Sequence, residues 1–308
     1  MLKTFLLIIV GLSGDPEHGV AFQKWGAELA GGSARLGVEQ ANVVYLGEPG
    51  DAERTPDARA TREQIEKTID TFAQKTSAND VVFITLIGHG SYDGRAAKFN
   101  LPGPDMSAED FNVLLRKLPD RQIVFVNTAS ASGPFIEALS GPRRTIVTAT
   151  RNGAEQYATL FGGYFVDALT TDEADADKNM RVSVLEAFRY ARGAVAKAYE
   201  QEGLLATEHA LLDDNGDKEG TAEPSLTVKD GKLAASLSLG STADAVPLPE
   251  DPQLRALYVE RRDLERRVEA LRLLKDSMDA GRYQAQLEQL VTELALKTRT
   301  IRAIEGQK

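Results

Sequence analysis

The chain has 308 residues, a formal net charge of −10 and no cysteine. Its content of 42% hydrophobic and 27% charged residues is typical of a globular protein and excludes a disordered chain. The acidic balance disfavours nucleic-acid binding, which needs a basic surface. The lack of cysteine excludes disulfides, thiolate metal sites and a cysteine nucleophile, and it leaves the cellular compartment open.

Short apolar runs alternate with amphipathic stretches of helical length through the first two thirds of the chain. The opening run is too short to span a bilayer and is followed by a poor cleavage site, so we interpret it as a buried strand and expect no membrane span. This alternation predicts right-handed crossovers and a mainly parallel sheet, in an α/β domain that we place at residues 1–220. Two of the predicted helices carry capping residues at their start, Thr61 and Ser107. The predicted strands are 5–10, 41–46, 81–87, 123–127 and 145–149, and the predicted helices are 21–36, 61–76, 107–118 and 157–170.

Two segments of different character follow this domain. Residues 221–251 are rich in Gly, Ser, Ala and Pro and predict a linker, in which Asp230-Gly231 is a turn signal. In residues 252–308, apolar residues recur at alternating steps of three and four, with a break at Ala280-Gly281. This spacing predicts a C-terminal α-helical hairpin of coiled-coil type, which packs on itself, forms a homo-oligomer or binds a partner chain.

Two strand ends carry residues that suit acyl chemistry. The strand 81–87 leads into Gly88-His89-Gly90, and the strand 123–127 leads into Thr128-Ala-Ser130-Ala-Ser132-Gly133. Ligands bind at the carboxyl ends of strands in open parallel sheets. A turn of small residues there lets a hydroxyl stand clear and lets backbone amides face a substrate carbonyl. Each segment also has a plain structural interpretation, as a capped strand end and as a tight turn.

Together and in this order, the two segments resemble the caspase-like (clan CD) peptidases, and most closely the legumain family. In that family a strand that ends in His-Gly supplies the base and an oxyanion amide, and a later strand that ends in Ala-Cys-x-Ser-Gly supplies the thiol. This sequence has His89-Gly90 and then Ala-Ser-Ala-Ser-Gly at 129–133. The opening strand with its Gly14 loop and the stretch 148–157 extend the resemblance to about residues 3–212. It implies a three-layer caspase-like sandwich and a catalytic set of His89, Gly90 and Ser130.

The sequence departs from the family at two positions. Ser130 stands where the family has its cysteine, and a hydroxyl reacts only with a general base within hydrogen-bond reach. Thr128 stands where legumains carry a glutamate that selects asparagine, so asparaginyl specificity is not expected. These departures leave two interpretations: a catalytically impaired pseudo-peptidase that binds peptide or protein segments in its cleft, and an active serine-variant hydrolase. We place Thr128, Ser132 and His18, the last in the loop after the first strand, in the same cleft.

A third motif is independent of this resemblance. Residues 175–186 have oxygen-bearing side chains at loop positions 1, 3, 5 and 9 and a glutamate at position 12, which matches an EF-hand calcium loop. Met180 stands at position 6, where glycine is expected, and Ser183 with Glu186 forms a helix capping box in its own right. We therefore expect at most weak Ca2+ binding, and a third interpretation of the chain is a calcium-stabilised scaffold. The predicted ligands are Asp175, Asp177, Asn179, Arg181, Ser183 and Glu186.

Overall fold

The computed structural model describes residues 3–50, 54–177, 181–227, 229–239, 249, 251–273 and 278–305. The chain divides into two units, Met1–Ser241 and Thr242–Lys308. The strands, in chain order, are β1 (Thr4–Val10), β2 (Val43–Leu46), β3 (Val81–Ile87), β4 (Gly90–Tyr92), β5 (Ala97–Phe99), β6 (Met106–Ser107), β7 (Gln122–Asn127), β8 (Arg144–Thr148), β9 (Val182–Ser183), β10 (Leu211–Asp213) and β11 (Ser238–Leu239). The helices are α1 (Pro16–Gly31), α2 (Arg62–Lys75), α3 (Ala108–Leu115), α4 (Phe135–Leu139), α5 (Phe161–Thr170), α6 (Val184–Glu202), α7 (Lys232–Ser236), α8 (Pro252–Leu273) and α9 (Ala280–Glu305).

A six-stranded sheet forms the middle of the first unit. Its strand order is β10-β8-β7-β3-β1-β2, in which all pairs are parallel except β10 with β8. The chain leaves β1 to form β2 on one side and then returns to form β3 on the other side. The switch point of the sheet, where α/β proteins bind ligands, therefore lies between β1 and β3.

Helices cover both faces of this sheet. On one face, α1, α5, α6 and α7 enclose a core that includes Phe22 and Phe188. On the other face, α2, α3 and α4 enclose a core that includes Phe72 and Phe111. The strands are apolar on both sides because both sides are buried. The predicted fold class, a three-layer α/β sandwich with a mainly parallel sheet, is confirmed.

Helix starts follow local capping chemistry. Thr61 caps α2 by accepting from the Gln64 amide, and Ser107 forms a capping box with Asp110 at the start of α3. The predicted start of the first helix at residue 21 is wrong, because α1 begins at Pro16. Asp15 caps it, and Pro16 has no N–H that would need a partner in the first turn. His18 therefore lies in the first turn of α1 and not in a loop.

The first unit extends beyond the predicted boundary at residue 220. Within the predicted linker 221–251, the structure forms α7 and β11, and β11 pairs antiparallel with β9. The Asp214 carboxylate holds the start of α7 by accepting from the amides of Gly231 (2.9 Å) and Ala234 (2.7 Å). Residues 228, 240–248 and 250 of this segment lie outside the described residues.

The second unit consists of α8 and α9. The helices run antiparallel, since Tyr258 near the start of α8 donates to the Glu305 carboxylate (2.5 Å) at the end of α9, and Glu260 pairs with Lys297. Within the described residues, neither these helices nor any other is both long and apolar enough to cross a bilayer. An apolar cluster joins the two helices and consists of Leu264, Val268, Leu271 and Leu290.

Burial of Asp230 makes the stability of the first unit depend on pH. Burial raises the pKa of Asp230 to about 6, from an ordinary 3.8, with a further contribution from Asp214. The folded chain therefore holds this proton between pH 4 and 6 more tightly than the unfolded chain, and this stabilisation is lost as the pH rises through 6. We expect Asp230→Asn, which keeps the acceptor for the Asp214 amide, to raise the free energy of unfolding at pH 7 by roughly 1–2 kcal/mol and to have little effect near pH 4.

Urea unfolding at both pH values measures this difference. Asp217→Asn is the control, because backbone hydrogen bonds to its exposed carboxylate lower its pKa, so this variant gains nothing at pH 7. An equal effect of Asp230→Asn at both pH values would contradict the assignment.

Candidate active site

Three loops meet at the carboxyl ends of β1, β3 and β7. Residues 11–15 follow β1, His89 follows β3 and Ser130 follows β7. The amide of Gly11 donates to the carbonyl of Ile87 (2.9 Å), which holds the ends of β1 and β3 side by side. The loops therefore lie at and beside the switch point of the sheet.

His89 is oriented by a backbone carbonyl. Its Nε2 lies 2.9 Å from the carbonyl oxygen of Ser13. Because a carbonyl oxygen only accepts hydrogen bonds, Nε2 carries the proton, and Nδ1 of the neutral ring keeps its lone pair. Gly14 turns the loop at a φ of +77°, and a Cβ there would lie 3.6 Å from Cδ2 of His89. The β1 loop thus selects the tautomer in which Nδ1 is the basic atom.

The surroundings of His89 favour its neutral form. Its ring centroid lies 5.1 Å from that of Phe22 and 4.9 Å from that of His18, both in edge-to-face geometry. Burial, and then the neighbouring His18, lowers the pKa of His89 below its ordinary value of 6.5. The ring is therefore neutral at neutral pH, as a group that accepts a proton must be.

His18 is paired with Asp15 beside this ring. The Asp15 carboxylate accepts from the His18 amide (2.9 Å) and lies 2.6 Å from Nδ1 of His18. The hydrogen bond from the His18 amide, and then that from the ring, lowers the pKa of Asp15. Sequence reasoning singled out His18 but missed Asp15 and Ser13. The Asp-Pro pair at 15–16, a signature of a helix start, was the signal for the first of these.

Ser130 is held by the backbone of Gly90. Its Oγ accepts from the Gly90 amide (3.2 Å) and donates to the Gly90 carbonyl (3.1 Å). A Cβ at position 90 would come within 2.3 Å of the Ser130 carbonyl oxygen, so only glycine fits. The three predicted catalytic residues, His89, Gly90 and Ser130, therefore lie at one edge of the sheet. No hydrogen bond joins Ser130 to His89 in the described part of the chain.

The turn after Ser130 is strained. Ala131 has a φ of +52°, a left-handed conformation that costs a residue with a Cβ about 1 kcal/mol. The Ala131 amide donates to the Glu155 carbonyl (2.7 Å), and the Glu155 carboxylate accepts from the amide of His209 (3.1 Å) and contacts its Nδ1 (2.7 Å). The Ser130 amide, by contrast, donates to no backbone oxygen of the described residues. This turn thus holds the Ser130 hydroxyl at the sheet edge, next to the Gly90 backbone.

Thr128 and Ser132 are almost fully buried. Thr128 Oγ1 donates to the Leu86 carbonyl (2.8 Å). Ser132 Oγ lies 3.1 Å from Thr150 Oγ1 and accepts from the Thr150 amide (3.2 Å). Both hydroxyls are used inside the protein, and their contact with a bound segment stays a prediction.

The acidic loop brings three of its predicted ligands together. Asp175, Asp177 and Glu186 present carboxylate oxygens within 4.8 Å of one another. Asn179, a fourth predicted ligand, lies outside the described residues. Arg181, the fifth, directly precedes β9.

Glu186 has a structural role as well. Its carboxylate accepts from the amide and the hydroxyl of Ser183 (both 2.8 Å), which closes the capping box at the start of α6. Its other oxygen accepts from the amide of Ala176 (3.1 Å). The capping box that the sequence predicted is therefore present, and it uses the same carboxylate that a calcium ion would need.

Comparison with known proteins relates part of the chain to one family. Residues 63–212 match the sequence profile of the Peptidase C13 family, so the resemblance drawn from His89-Gly90 and residues 129–133 is confirmed at family level. No curated protein matches the chain.

Solved structures give weaker similarity. The crystal structure of protein GSU0716 from Geobacter sulfurreducens aligns with a TM-score of 0.44 and 12% identity, over 74% of this chain and 97% of that chain. A secreted C11 cysteine protease from Bacteroides thetaiotaomicron, in complex with an irreversible peptide inhibitor, aligns with a TM-score of 0.36 and 14% identity. That alignment covers 65% of this chain and 60% of the protease.

A serine-to-alanine pair tests the role of Ser132. We expect Ser132→Ala to lower the free energy of unfolding by about 1–2 kcal/mol, because it leaves the buried Thr150 amide without its acceptor. The control is Ser91→Ala, whose exposed hydroxyl donates to the Asn100 side chain (3.1 Å) and should change stability by less than about 0.5 kcal/mol. Equal, small effects in urea denaturation would show that the Ser132 hydroxyl is not structural.

Proposed function

We propose that this chain, whose residues 63–212 match the Peptidase C13 family, binds peptide segments at the edge formed by Gly90 and Ser130 and does not hydrolyse them. The single observation that carries this proposal is the pair of hydrogen bonds between Ser130 Oγ and the Gly90 backbone.

Within the described residues, the hydroxyl of Ser130 lacks a hydrogen bond to a base. A serine hydroxyl attacks a carbonyl only when a base takes its proton, which requires a hydrogen bond from Oγ to that base or to a water between them. Ser130 Oγ instead donates to the Gly90 carbonyl. A backbone carbonyl is not a base, so this arrangement leaves the hydroxyl without activation even though His89 is neutral.

The Gly90 amide, a donor that hydrolysis would need for the oxyanion, is already occupied. Hydrolysis through Ser130 would use the amides of Gly90 and Ser130 to stabilise the developing negative charge. The Gly90 amide already donates to Ser130 Oγ at 3.2 Å. A substrate carbonyl would have to displace the hydroxyl from this donor before it could bind. A cysteine sulfur forms much weaker hydrogen bonds and would leave the same amide available.

The edge strand β4 offers a place for an extended peptide to bind. β4, which begins at Gly90, forms one edge of the small sheet β4-β5-β6, and an edge strand offers unpaired backbone groups to an extended peptide. Asn100 connects this edge to the β1 loop, since its amide donates to the His89 carbonyl and its carbonyl accepts from the Leu12 amide (both 3.0 Å). Leu12 is 40% exposed and offers an apolar contact next to that edge. These features support the binding of an extended segment.

Cleavage assays separate the binding protein from the hydrolase. We expect the unmodified protein to leave a diverse peptide library intact, as judged by mass spectrometry, and Ser130→Cys to cleave it, because a thiol beside neutral His89 ionises to a nucleophilic thiolate. His89→Ala in the Ser130→Cys background should lose this activity. Cleavage by the unmodified protein that Ser130→Ala abolishes would instead establish a serine hydrolase and overturn the proposal.

The same variant tests binding, since the chain has no other thiol. We expect a displayed random-peptide library to yield segments that bind the unmodified protein. Carboxamidomethylation of the introduced thiol should weaken their binding at least about tenfold, because the adduct fills the edge beside β4. Ser77→Cys, at an exposed position before β3 at the opposite end of the strands, is the alkylated control. Absence of selected peptides, or equal loss in both variants, would count against a peptide site here.

We propose, as a second function, that the loop with Asp175, Asp177 and Glu186 binds Ca2+ and stabilises the α/β unit. The proximity of the three carboxylates supports this proposal, because Ca2+ binds carboxylate oxygens that are gathered at one place. We expect millimolar Ca2+ to raise the melting temperature of the unmodified protein but not that of Asp177→Asn, as measured by calorimetry. Asp172→Asn, which removes an exposed carboxylate outside the loop, is the control. An equal Ca2+ response in all three proteins would contradict a site in this loop.

A further inference from the structure

We propose that Asp15, His18 and His89 form a binding site for a divalent transition metal ion, with Zn2+ as the ion that fits best. Each of the three residues offers one ligand atom, and these atoms lie within 4.8 Å of one another. This site is separate from the acidic loop at 175–186 and does not depend on whether the chain binds peptides.

The donor set selects the class of metal. Two imidazole nitrogens and one carboxylate oxygen suit Zn2+ and other late divalent transition metals, whereas Ca2+ and Mg2+ prefer sites made of oxygen alone. The chain contains three histidines and no cysteine, and two of these three histidines lie in this one cluster. Three protein ligands leave the fourth position of a tetrahedral ion open, as in catalytic rather than structural zinc sites.

Sequence positions far apart meet here because of the sheet topology. Asp15 and His18 belong to the start of α1 after β1, and His89 follows β3, the strand next to β1. The cluster therefore spans the switch point of the sheet. His18 and His89 are half-buried and Asp15 is exposed, so an ion can enter from solvent.

The surrounding contacts orient the ligands in advance. The Ser13 carbonyl, 2.9 Å from Nε2, fixes the position of the His89 ring beside Asp15 and His18. Asp15 is fixed by its hydrogen bond from the His18 amide. The contact of 2.6 Å between the Asp15 carboxylate and Nδ1 of His18 is one that an ion can replace by binding both atoms. Ligand atoms of a tetrahedral zinc ion lie about 3.3 Å apart, so the ligand atoms need to move by no more than about 1.5 Å.

Metal occupancy has a consequence for the neighbouring edge. A neutral imidazole has one available lone pair, so a His89 ring that binds an ion through it has none left to accept a proton. The ion also adds positive charge next to Gly90, whose backbone contacts Ser130. Zn2+ therefore competes with base chemistry at His89 and favours ligands that carry an oxygen or nitrogen donor.

The test uses the full chain without an affinity tag of histidines, stripped of metal with a chelator that is then removed. We expect isothermal titration with Zn2+ to give one site per chain, and Co2+ to give the visible absorption bands of a tetrahedral ion. His18→Ala and His89→Ala should each weaken Zn2+ binding by about tenfold or more. Asp15→Ser should weaken it too, while serine keeps the cap of α1 so that the helix start survives.

His209→Ala is the matched control, because it removes the third histidine, whose Nδ1 contacts Glu155 instead. This variant should bind Zn2+ as the unmodified protein does, and Ca2+ should not displace the Zn2+. In NMR spectra, Zn2+ should shift the ring signals of His18 and His89 and leave those of His209 in place. Unchanged binding in His89→Ala, or equal losses in His209→Ala, would overturn the site.

Discussion

The hydrogen bond from Nε2 of His89 to the Ser13 carbonyl is the interaction on which the candidate site at the sheet edge depends. It joins the loop after β1 to the residue after β3, across the switch point of the sheet. It also decides the chemistry of the ring, because it places the proton on Nε2 and leaves the lone pair on Nδ1. Burial against Phe22 and the nearby His18 then keeps the ring neutral.

The second determinant is the contact between Gly90 and Ser130. The two chain segments come so close that no side chain fits at position 90, and the hydroxyl of Ser130 completes its hydrogen bonds with that backbone. An oxygen in this position is drawn towards the amide and carbonyl of Gly90 and away from a base. The β1 loop thus fixes the orientation of His89, while the Gly90 backbone fixes the hydroxyl of Ser130. The same neutral His89 remains suited to bind a metal ion, because a ligand needs only the lone pair.

Much of the fold follows from local sequence signals. Apolar runs such as 81–87 predict buried strands because both faces of the sheet are covered, and Thr61 and Ser107 predict helix starts because their hydroxyls satisfy free amides. The start of α1 was missed because the amphipathic pattern becomes clear only after its first turn, although Asp15 and Pro16 mark the cap. The elements α7 and β11 were missed for another reason. Asp214 and β9 hold them, and contacts across such sequence distances leave no local pattern.

The candidate site shows the same division. The sequence singled out His89, Gly90 and Ser130 as candidates, because the resemblance gave their order along the chain and the ends of the predicted buried strands gave their position in the sheet. The partner of His89 is a backbone carbonyl, which every residue carries, so no side-chain motif could reveal the role of Ser13. The pairing of Ser130 with Gly90 likewise depends on how closely two loops approach, and this distance is a property of the packed sheet.

The tautomer of His89 is the property to measure first, because the properties expected of a thiol at position 130 require a lone pair on Nδ1. Long-range proton–nitrogen correlation spectra of the 15N-labelled protein at neutral pH distinguish the two ring nitrogens of each histidine. We expect His89 to be neutral with its proton on Nε2, and its titration midpoint to lie below 6.5. A proton on Nδ1, or a ring that is charged at neutral pH, would contradict it.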